Sequence, residues 1–245
     1  MSSSTPKIVL VTGGNTGLGL EIIKSLTRSP TLYTILLGCR DPAKGEAAIA
    51  EVQKEYPSMR STLHVIQIDL SSDSSLEAAI ATITAAHPHL DILINNSGAS
   101  FDLAIQSSHL PLRDGFNKSW DTNVTGTHIL TSLCIPLLLQ SEDPRLIFMT
   151  SGTSSLIETE MFEPEHLKRI NASPEKGWPK EQGLNPITSY RSTKAGLNML
   201  MREWVRLLRE DGVKVWAVSP GFLATGLAGV GAETLRKVSR HIISP

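Results

Sequence analysis

Apolar residues gather in six short runs, Lys7–Val11, Tyr33–Gly38, Leu63–Ile68, Asp91–Ile94, Arg145–Met149 and Val213–Val218. Most are unbroken Val/Ile/Leu segments rather than apolar/polar alternations, the pattern of strands covered on both faces by helices. Between them, Glu46–Glu55, Ser74–Ala86 and Ala195–Leu208 repeat apolar residues at intervals of three and four, often behind an Asp or Ser able to cap a helix. Strand and helix alternate, which predicts an α/β, doubly wound, three-layer sandwich with a mostly parallel sheet of six or seven strands. Beyond Pro220-Gly221 the sequence suggests only a helix around Glu233–Val238 and a short C-terminal part, with no seventh apolar run.

One stretch breaks the rhythm. From about Ser154 to Ile187 the chain carries Pro164, Pro174, Gly177, Pro179 and Pro186 among charged residues and Trp178. Its length and proline content predict an inserted loop or lid, with Trp178 a candidate cover for substrate.

A length of 245 residues suits a single domain over 1–245, and 40% hydrophobic with 19% charged residues excludes a disordered chain. The formal net charge of −1 offers no overall field for nucleic acid or an anionic membrane, so any anion must be bound locally. Two cysteines, Cys39 and Cys134, form no CxxC pair and no disulfide framework. They read as buried, inert thiols in a reducing compartment. The first residues lack the pattern of a signal peptide, and the longest apolar run, Leu133–Leu139, is too short to span a membrane and contains Pro136. The expectation is a cytoplasmic protein with no membrane and no nucleic-acid partner.

Directly after the first strand stands Thr12-Gly13-Gly14-Asn15-Thr16-Gly17-Leu18-Gly19, followed by the apolar period of a helix. Glycines there permit a sharp turn, let backbone approach a pyrophosphate closely, and leave amides pointing from the positive end of a helix dipole. Further along, Tyr190 and Lys194 stand four apart in Ser189-Tyr190-Arg191-Ser192-Thr193-Lys194, so a helix puts both on one face. A neighbouring ammonium favours the phenolate, which lowers the tyrosine toward working pH and fits it for general-acid chemistry.

Taken in order, Thr12-Gly13-x-x-x-Gly17-x-Gly19, Asn95-Asn96-Ser97-Gly98, Asn123-Val124-x-Gly126, Ser151, Tyr190-x-x-x-Lys194 and Pro220-Gly221 resemble the short-chain dehydrogenase/reductase family, in particular its carbonyl-reductase-like members. The resemblance spans residues 7 to about 228 and implies a Rossmann-type fold. Ser97 departs from it, since relatives usually carry alanine there. The family likeness implies an oxidoreductase reducing a ketone or aldehyde to an alcohol. It makes Tyr190 the proton donor, Lys194 a ligand of the nicotinamide ribose, Ser151 the group polarising the substrate oxygen, and Asn123 the holder of a relay water. Thr150 and Ser154 are rivals for the serine role.

An acidic residue after the second strand would bind the ribose 2′-hydroxyl of NAD. Here the strand ends Gly38-Cys39-Arg40, and a guanidinium suits a 2′-phosphate, so NADP(H) is expected, with an Arg40–Asp41 ion pair the bland alternative. The resemblance assigns Gly13, Asn15, Thr16, Gly17, Leu18 and Gly19 to the phosphate turn, Asn15 near the ribose phosphate. It sets Asp69 and Leu70 at the adenine, Asn95 and Gly98 along the cofactor cleft, and Pro220, Gly221 and Thr225 at the nicotinamide carboxamide. Because the insertion resembles one that packs near the dimer helices of carbonyl reductases, a monomer is implied, with a homo-oligomer as the alternative.

His87-Pro88-His89 lacks the further ligands of a metal site and reads as a turn. Trp204 and Trp216 read as core. No Gly-x-Ser-x-Gly occurs, which removes a serine hydrolase. Two other classes stay open: the same fold used for dehydration, epimerisation or cyclisation, and a non-catalytic NADP-binding regulator.

Overall fold

The computed structural model describes residues 5–163, 165–178, 180 and 187–221. Six parallel strands, β1 (Lys7–Thr12), β2 (Tyr33–Cys39), β3 (Thr62–Gln67), β4 (Ile92–Asn95), β5 (Arg145–Met149) and β6 (Lys214–Val218), pair in the order β3-β2-β1-β4-β5-β6. The helices are α1 (Gly17–Thr27), α2 (Pro42–Glu55), α3 (Asp73–Ala86), α4 (Asp102–Gln106), α5 (Leu112–Trp120), α6 (Gly126–Leu138), α7 (Glu165–Asn171) and α8 (Thr188–Leu207). Each predicted strand is present within one or two residues of its expected limits.

The unbroken apolar runs are explained by two cores, one on each sheet face. Along β1, Ile8 and Leu10 pack with residues of α3, α6 and α8, among them Leu76, Ile83, Leu130 and Leu197. Val9 and Val11 face the other way, onto Ile23 of α1 and Ile49 and Val52 of α2. This is the two-residue period of a strand with both faces buried. Helix starts follow local rules: Asp41 accepts from the Ala43 amide with Pro42 in the first turn of α2, and Ser72 accepts from Ser75 at α3.

The two outer strands depart from the expected pattern. β3 is exposed at alternate positions, and β6 is mostly exposed. Trp216 on β6 is 44% exposed, which corrects its reading as core: β6 pairs only with β5 among the described strands, and Trp216 stands beside Ile147 on the sheet face opposite to the one α8 packs on. Trp204 on α8 is buried as expected, its ring 5.3 Å from that of His128. Cys39 and Cys134 are both buried and free, and burial pushes the Cys134 thiol up to about 12.

The stretch read as a loop or lid holds two single helical turns, Gly152–Ser154 and Ile157–Glu160, and then α7. Trp178 within it is 78% exposed. Thr225, any seventh strand and the helix expected around Glu233–Val238 lie outside the described residues.

Because β1 lies between β2 and β4, the chain reverses its winding direction there, and in doubly wound sheets ligands bind at the carboxyl edge of such a switch point. Loops at the carboxyl ends of the strands carry many of the singled-out residues; Asn123 stands on the turn before α6, and Tyr190 and Lys194 on α8.

Candidate active site

The turn after β1 is held by two side chains that the site expectations omitted. Thr12 Oγ1 accepts from the amides of Asn96 and Ser97 at 3.0 and 2.9 Å, and Asn96 Nδ2 donates to the Thr12 carbonyl at 2.8 Å. The loops after β1 and β4 are thereby fastened together at the cleft. Gly13 and Gly17 have φ of +64° and +54°, the region where a side chain is strained. A Cβ on Gly19 would stand 2.1 Å from the Gly13 carbonyl oxygen. α1 has no acidic residue in its first turn, and its N-cap Thr16 makes no side-chain bond to it. The result is a glycine cradle ending on uncapped amides, suited to a phosphate.

At the end of β2, Arg40 is exposed and makes no ion pair with Asp41 among the described residues; Asp41 instead caps α2 and lies 3.9 Å from Lys44. Burial pushes the Asp69 carboxyl up, but hydrogen bonds from the Ser71 hydroxyl and amide and the charge of Arg40 bring it below its ordinary value. Arg40 and Asp69 thus flank one end of the cleft. Leu70 is buried beside Asp69, and its carbonyl packs against Gly126 so closely that a Cβ there would lie at 1.8 Å.

On β4, Asn95 is buried; Nδ2 donates to Thr131 Oγ1 at 2.9 Å while Oδ1 has no partner. Gly98 faces the centre of the site, since a Cβ on it would stand 3.3 Å from Asn123 Oδ1 and 3.4 Å from Lys194 Nζ. Asn123 occupies a single π-helical turn, Asp121–Thr125, between α5 and α6, the kind of widened turn that recurs at functional sites. Its amide is engaged by protein at both ends: Oδ1 accepts from the Ala99 amide, and Nδ2 donates to the Ala99 carbonyl and to Thr193 Oγ1. Through these bonds the Asn123 side chain braces the β4 loop against α8.

The candidate reactive groups lie around the end of β5. Tyr190 and Lys194 lie one turn apart on α8, the Lys194 nitrogen 5.7 Å from the Tyr190 ring centre. Lys194 is 3% exposed, donates to the Met149 carbonyl at 2.8 Å, and is brought down to about 8 by burial. Tyr190 behaves otherwise than expected: burial pushes its phenol above the ordinary value, opposed by a hydrogen bond with the Ser151 side chain. Burial of the phenol therefore outweighs the one hydrogen bond that favours its charged form. The serine rivals are engaged elsewhere, Thr150 Oγ1 with Asn198 Oδ1 and Ser154 Oγ with the Ser151 carbonyl. Ser151 Oγ also lies 2.8 Å from Thr153 Oγ1.

Arg191, next to Tyr190, escaped sequence reasoning because its partners are remote. Nε donates to the Thr153 carbonyl at 2.7 Å and a terminal nitrogen donates to Asn171 Oδ1 at 3.1 Å, tying α8 to α7. After β6, Pro220 and Gly221 reach the same edge, Gly221 with φ +79°, and Ser219 Oγ would lie 3.4 Å from a Cβ on Gly152. Among the described residues no group of three or more His, Cys, Asp or Glu could hold a metal, and no helix is long and apolar enough to cross a membrane. His89 of the His87–His89 turn lies 3.2 Å from Asp91.

The model of the short chain dehydrogenase family matches residues 7–162 and 176–235. The short-chain dehydrogenase/reductase tropE of Talaromyces stipitatus is 45% identical over 228 residues, 93% of this chain and 82% of the relative. The short-chain dehydrogenase/reductase eupG of a Phoma species is 46% identical over 246 residues, covering 99% and 86%. Among solved structures, the NADPH-bound carbonyl reductase from chicken fatty liver superposes with a TM-score of 0.71 at 23% identity, over 98% of this chain and 92% of that one. A short-chain dehydrogenase from Sphingobium yanoikuyae in complex with NADPH gives 0.67 at 22%, over 93% and 77%. The solved structures share the fold; the sequence matches go further, and on them the chain belongs to the short-chain dehydrogenase/reductase family of oxidoreductases.

Proposed function

We propose that this chain is an NADPH-dependent reductase that converts a ketone or aldehyde to an alcohol, with Tyr190 as the proton donor. The observation that carries the reading is the Tyr190 ring 5.7 Å from the buried Lys194 ammonium, which is itself bonded to Met149 at the carboxyl end of β5, with the Ser151 side chain near enough to favour the charged phenol.

The residues present fit the cofactor. The positive-φ glycines 13 and 17, Gly19 whose Cβ would collide with backbone, and an uncapped α1 suit a pyrophosphate, and the exposed guanidinium of Arg40 suits a 2′-phosphate. Asp69 and Leu70 would meet the adenine, and Asn95, Gly98, Pro220 and Gly221 the nicotinamide half, with Lys194 at its ribose. That the chicken and Sphingobium structures hold NADPH supports the choice. When bound, NADPH supplies a hydride to the carbonyl carbon.

The chain's own residues handle the oxygen and the proton. Ser151 Oγ donates a hydrogen bond to the carbonyl oxygen and polarises it. The phenol of Tyr190, kept protonated by burial, gives its proton as negative charge develops on that oxygen. Lys194, still mostly charged at neutral pH with a value of about 8, stabilises the phenolate left behind. Asn123 keeps the β4 loop and α8 in register through Ala99 and Thr193. We read 1–245 as one domain in which the insertion at 154–187, anchored to α8 by Arg191, walls the substrate side.

The test is NADPH consumption by the purified chain with a panel of quinones, aldehydes and ketones, paired with detection of the alcohol. Turnover on at least one carbonyl is expected. NADPH binding with no turnover on any of them contradicts the reading and points to non-redox chemistry or a regulator.

A further inference from the structure

The helix that carries Tyr190 and Lys194 begins without a local cap: Ile187 precedes α8 and makes no side-chain bond to it. A helix start leaves its first amides without partners, and a buried start needs them satisfied. They are satisfied from a distant part of the chain. Asp102 Oδ1 accepts from the Ser189 amide at 2.8 Å, and Oδ2 accepts from the amide of Tyr190 itself at 3.0 Å. Oδ2 also accepts from Ser100 Oγ at 3.0 Å. The carboxylate is 5% exposed, and no cation pairs with it among the described residues, so its charge is stabilised by the amides and dipole of α8.

Asp102 belongs to the first turn after the Asn95–Gly98 loop, the same loop that Asn123 clamps through Ala99. The carboxylate therefore links the loop lining the cleft to the backbone of the reacting tyrosine. It has two oxygens on two successive amides, which fixes both the distance and the rotation of the first turn of α8. A single acceptor would fix only the distance.

We propose that Asp102 is the positioning residue of Tyr190: its bidentate grip on the Ser189 and Tyr190 amides sets where the phenol stands relative to Ser151. This rests on the reading of Tyr190 as proton donor. A misplacement of about 1 Å at a reacting group can cost on the order of a hundredfold in rate. Loss of the grip thus acts on kcat, while the phosphate turn, which makes no contact with Asp102, keeps its hold on NADPH.

The experiment compares Asp102→Ala and Asp102→Asn with the unaltered chain and with Tyr190→Phe. It reads kcat, KM for the carbonyl, NADPH affinity by fluorescence, and amide hydrogen exchange along α8. Expected for Asp102→Ala is a fall in kcat of at least about tenfold, unchanged NADPH affinity, and faster exchange confined to the first turn of α8. Asp102→Asn, which keeps one acceptor but sets an NH2 group against the other amide, recovers only part of the lost rate and protects only one of the two amides from exchange; full recovery would show that the second oxygen does not matter and overturn the bidentate grip. An Asp102→Ala protein with unaltered kcat, or one in which NADPH affinity falls with kcat and exchange quickens throughout, overturns the proposal. Turnover retained by Tyr190→Phe instead sinks the tyrosine reading, and the exchange data then still report whether Asp102 holds the helix start.

Discussion

The Lys194 ammonium donates a 2.8 Å hydrogen bond to the carbonyl oxygen of Met149, the last residue of β5 and two residues before Ser151. The bond fixes α8 against the strand end, so the base of the tyrosine helix and the serine are set by one contact. Its cost is the burial of a charge, and the cost has a sign. The ordinary lysine value is 10.5 and burial lowers Lys194 to about 8, so between these the unfolded chain holds more protons than the folded one. Stability from this group therefore rises with pH across that window, by on the order of 3 kcal/mol in total. Denaturant titrations of the cofactor-free protein and of Lys194→Met are expected to diverge in that direction from pH 8 upward. Parallel curves would contradict the assignment.

At the opposite edge of the sheet, Asp143 accepts from Lys214 at 2.6 Å, Arg145 at 2.5 Å and Lys7 at 3.0 Å. Lys214, then Arg145 and Lys7, hold its carboxyl well below the usual carboxylate range. A depressed acid contributes stability that is present above its unfolded value and lost as pH falls. Asp143→Asn is expected to lower the melting temperature at neutral pH, with the difference from the unaltered chain shrinking below about pH 4. A constant difference across that range would show that shape, and not charge, accounts for the loss.

Gly126 has no room for a methyl group. Its Cβ would stand 1.8 Å from the Leu70 carbonyl oxygen, which is backbone and cannot swing aside. Gly126→Ala should destabilise the fold by about 2–3 kcal/mol or more by urea denaturation, as overpacking does in a rigid interior. Gly212→Ala serves as the control, because nothing lies within 4 Å of a Cβ there, although its φ of +71° adds local strain of its own. Gly126 has a helical φ of −63° and no strain of its own, so a loss there no larger than at Gly212 would contradict the steric account.

In the proposed reading, Arg40 selects the cofactor. Asp41 is engaged at the start of α2, which leaves the guanidinium free for a phosphate. Arg40→Asp is expected to weaken NADPH binding by about tenfold to a hundredfold, the range of a lost charge-assisted hydrogen bond, and to change NADH binding far less. Titrations in which both cofactors weaken alike would remove Arg40 from the 2′-phosphate.

The sequence was legible where the physics is local. Buried strands read as unbroken Val/Ile/Leu runs, the glycines at 13, 17 and 19 announced a turn, and the four-residue spacing of Tyr190 and Lys194 announced one helix face. It was illegible where a property depends on what lies across the molecule. Trp216 looks like core until β6 is found with one described neighbour. Nothing in Asp121–Thr125 marks a π turn, and nothing near Arg191 or Asp102 names partners 38 and 87 residues away. The phenol of Tyr190 shows the same limit, since the spacing to Lys194 says nothing of the burial that pushes it up.

The central claim is that Tyr190 delivers the proton. Its most direct test measures NADPH oxidation and NADPH affinity together for the chain and for Tyr190→Phe, which removes one hydroxyl from a buried ring and leaves the phosphate turn untouched. The account predicts turnover reduced by about a thousandfold or more, the upper part of what a positioned general acid contributes, with NADPH affinity unchanged. Turnover within about tenfold of the unaltered chain, at unchanged affinity, would contradict it.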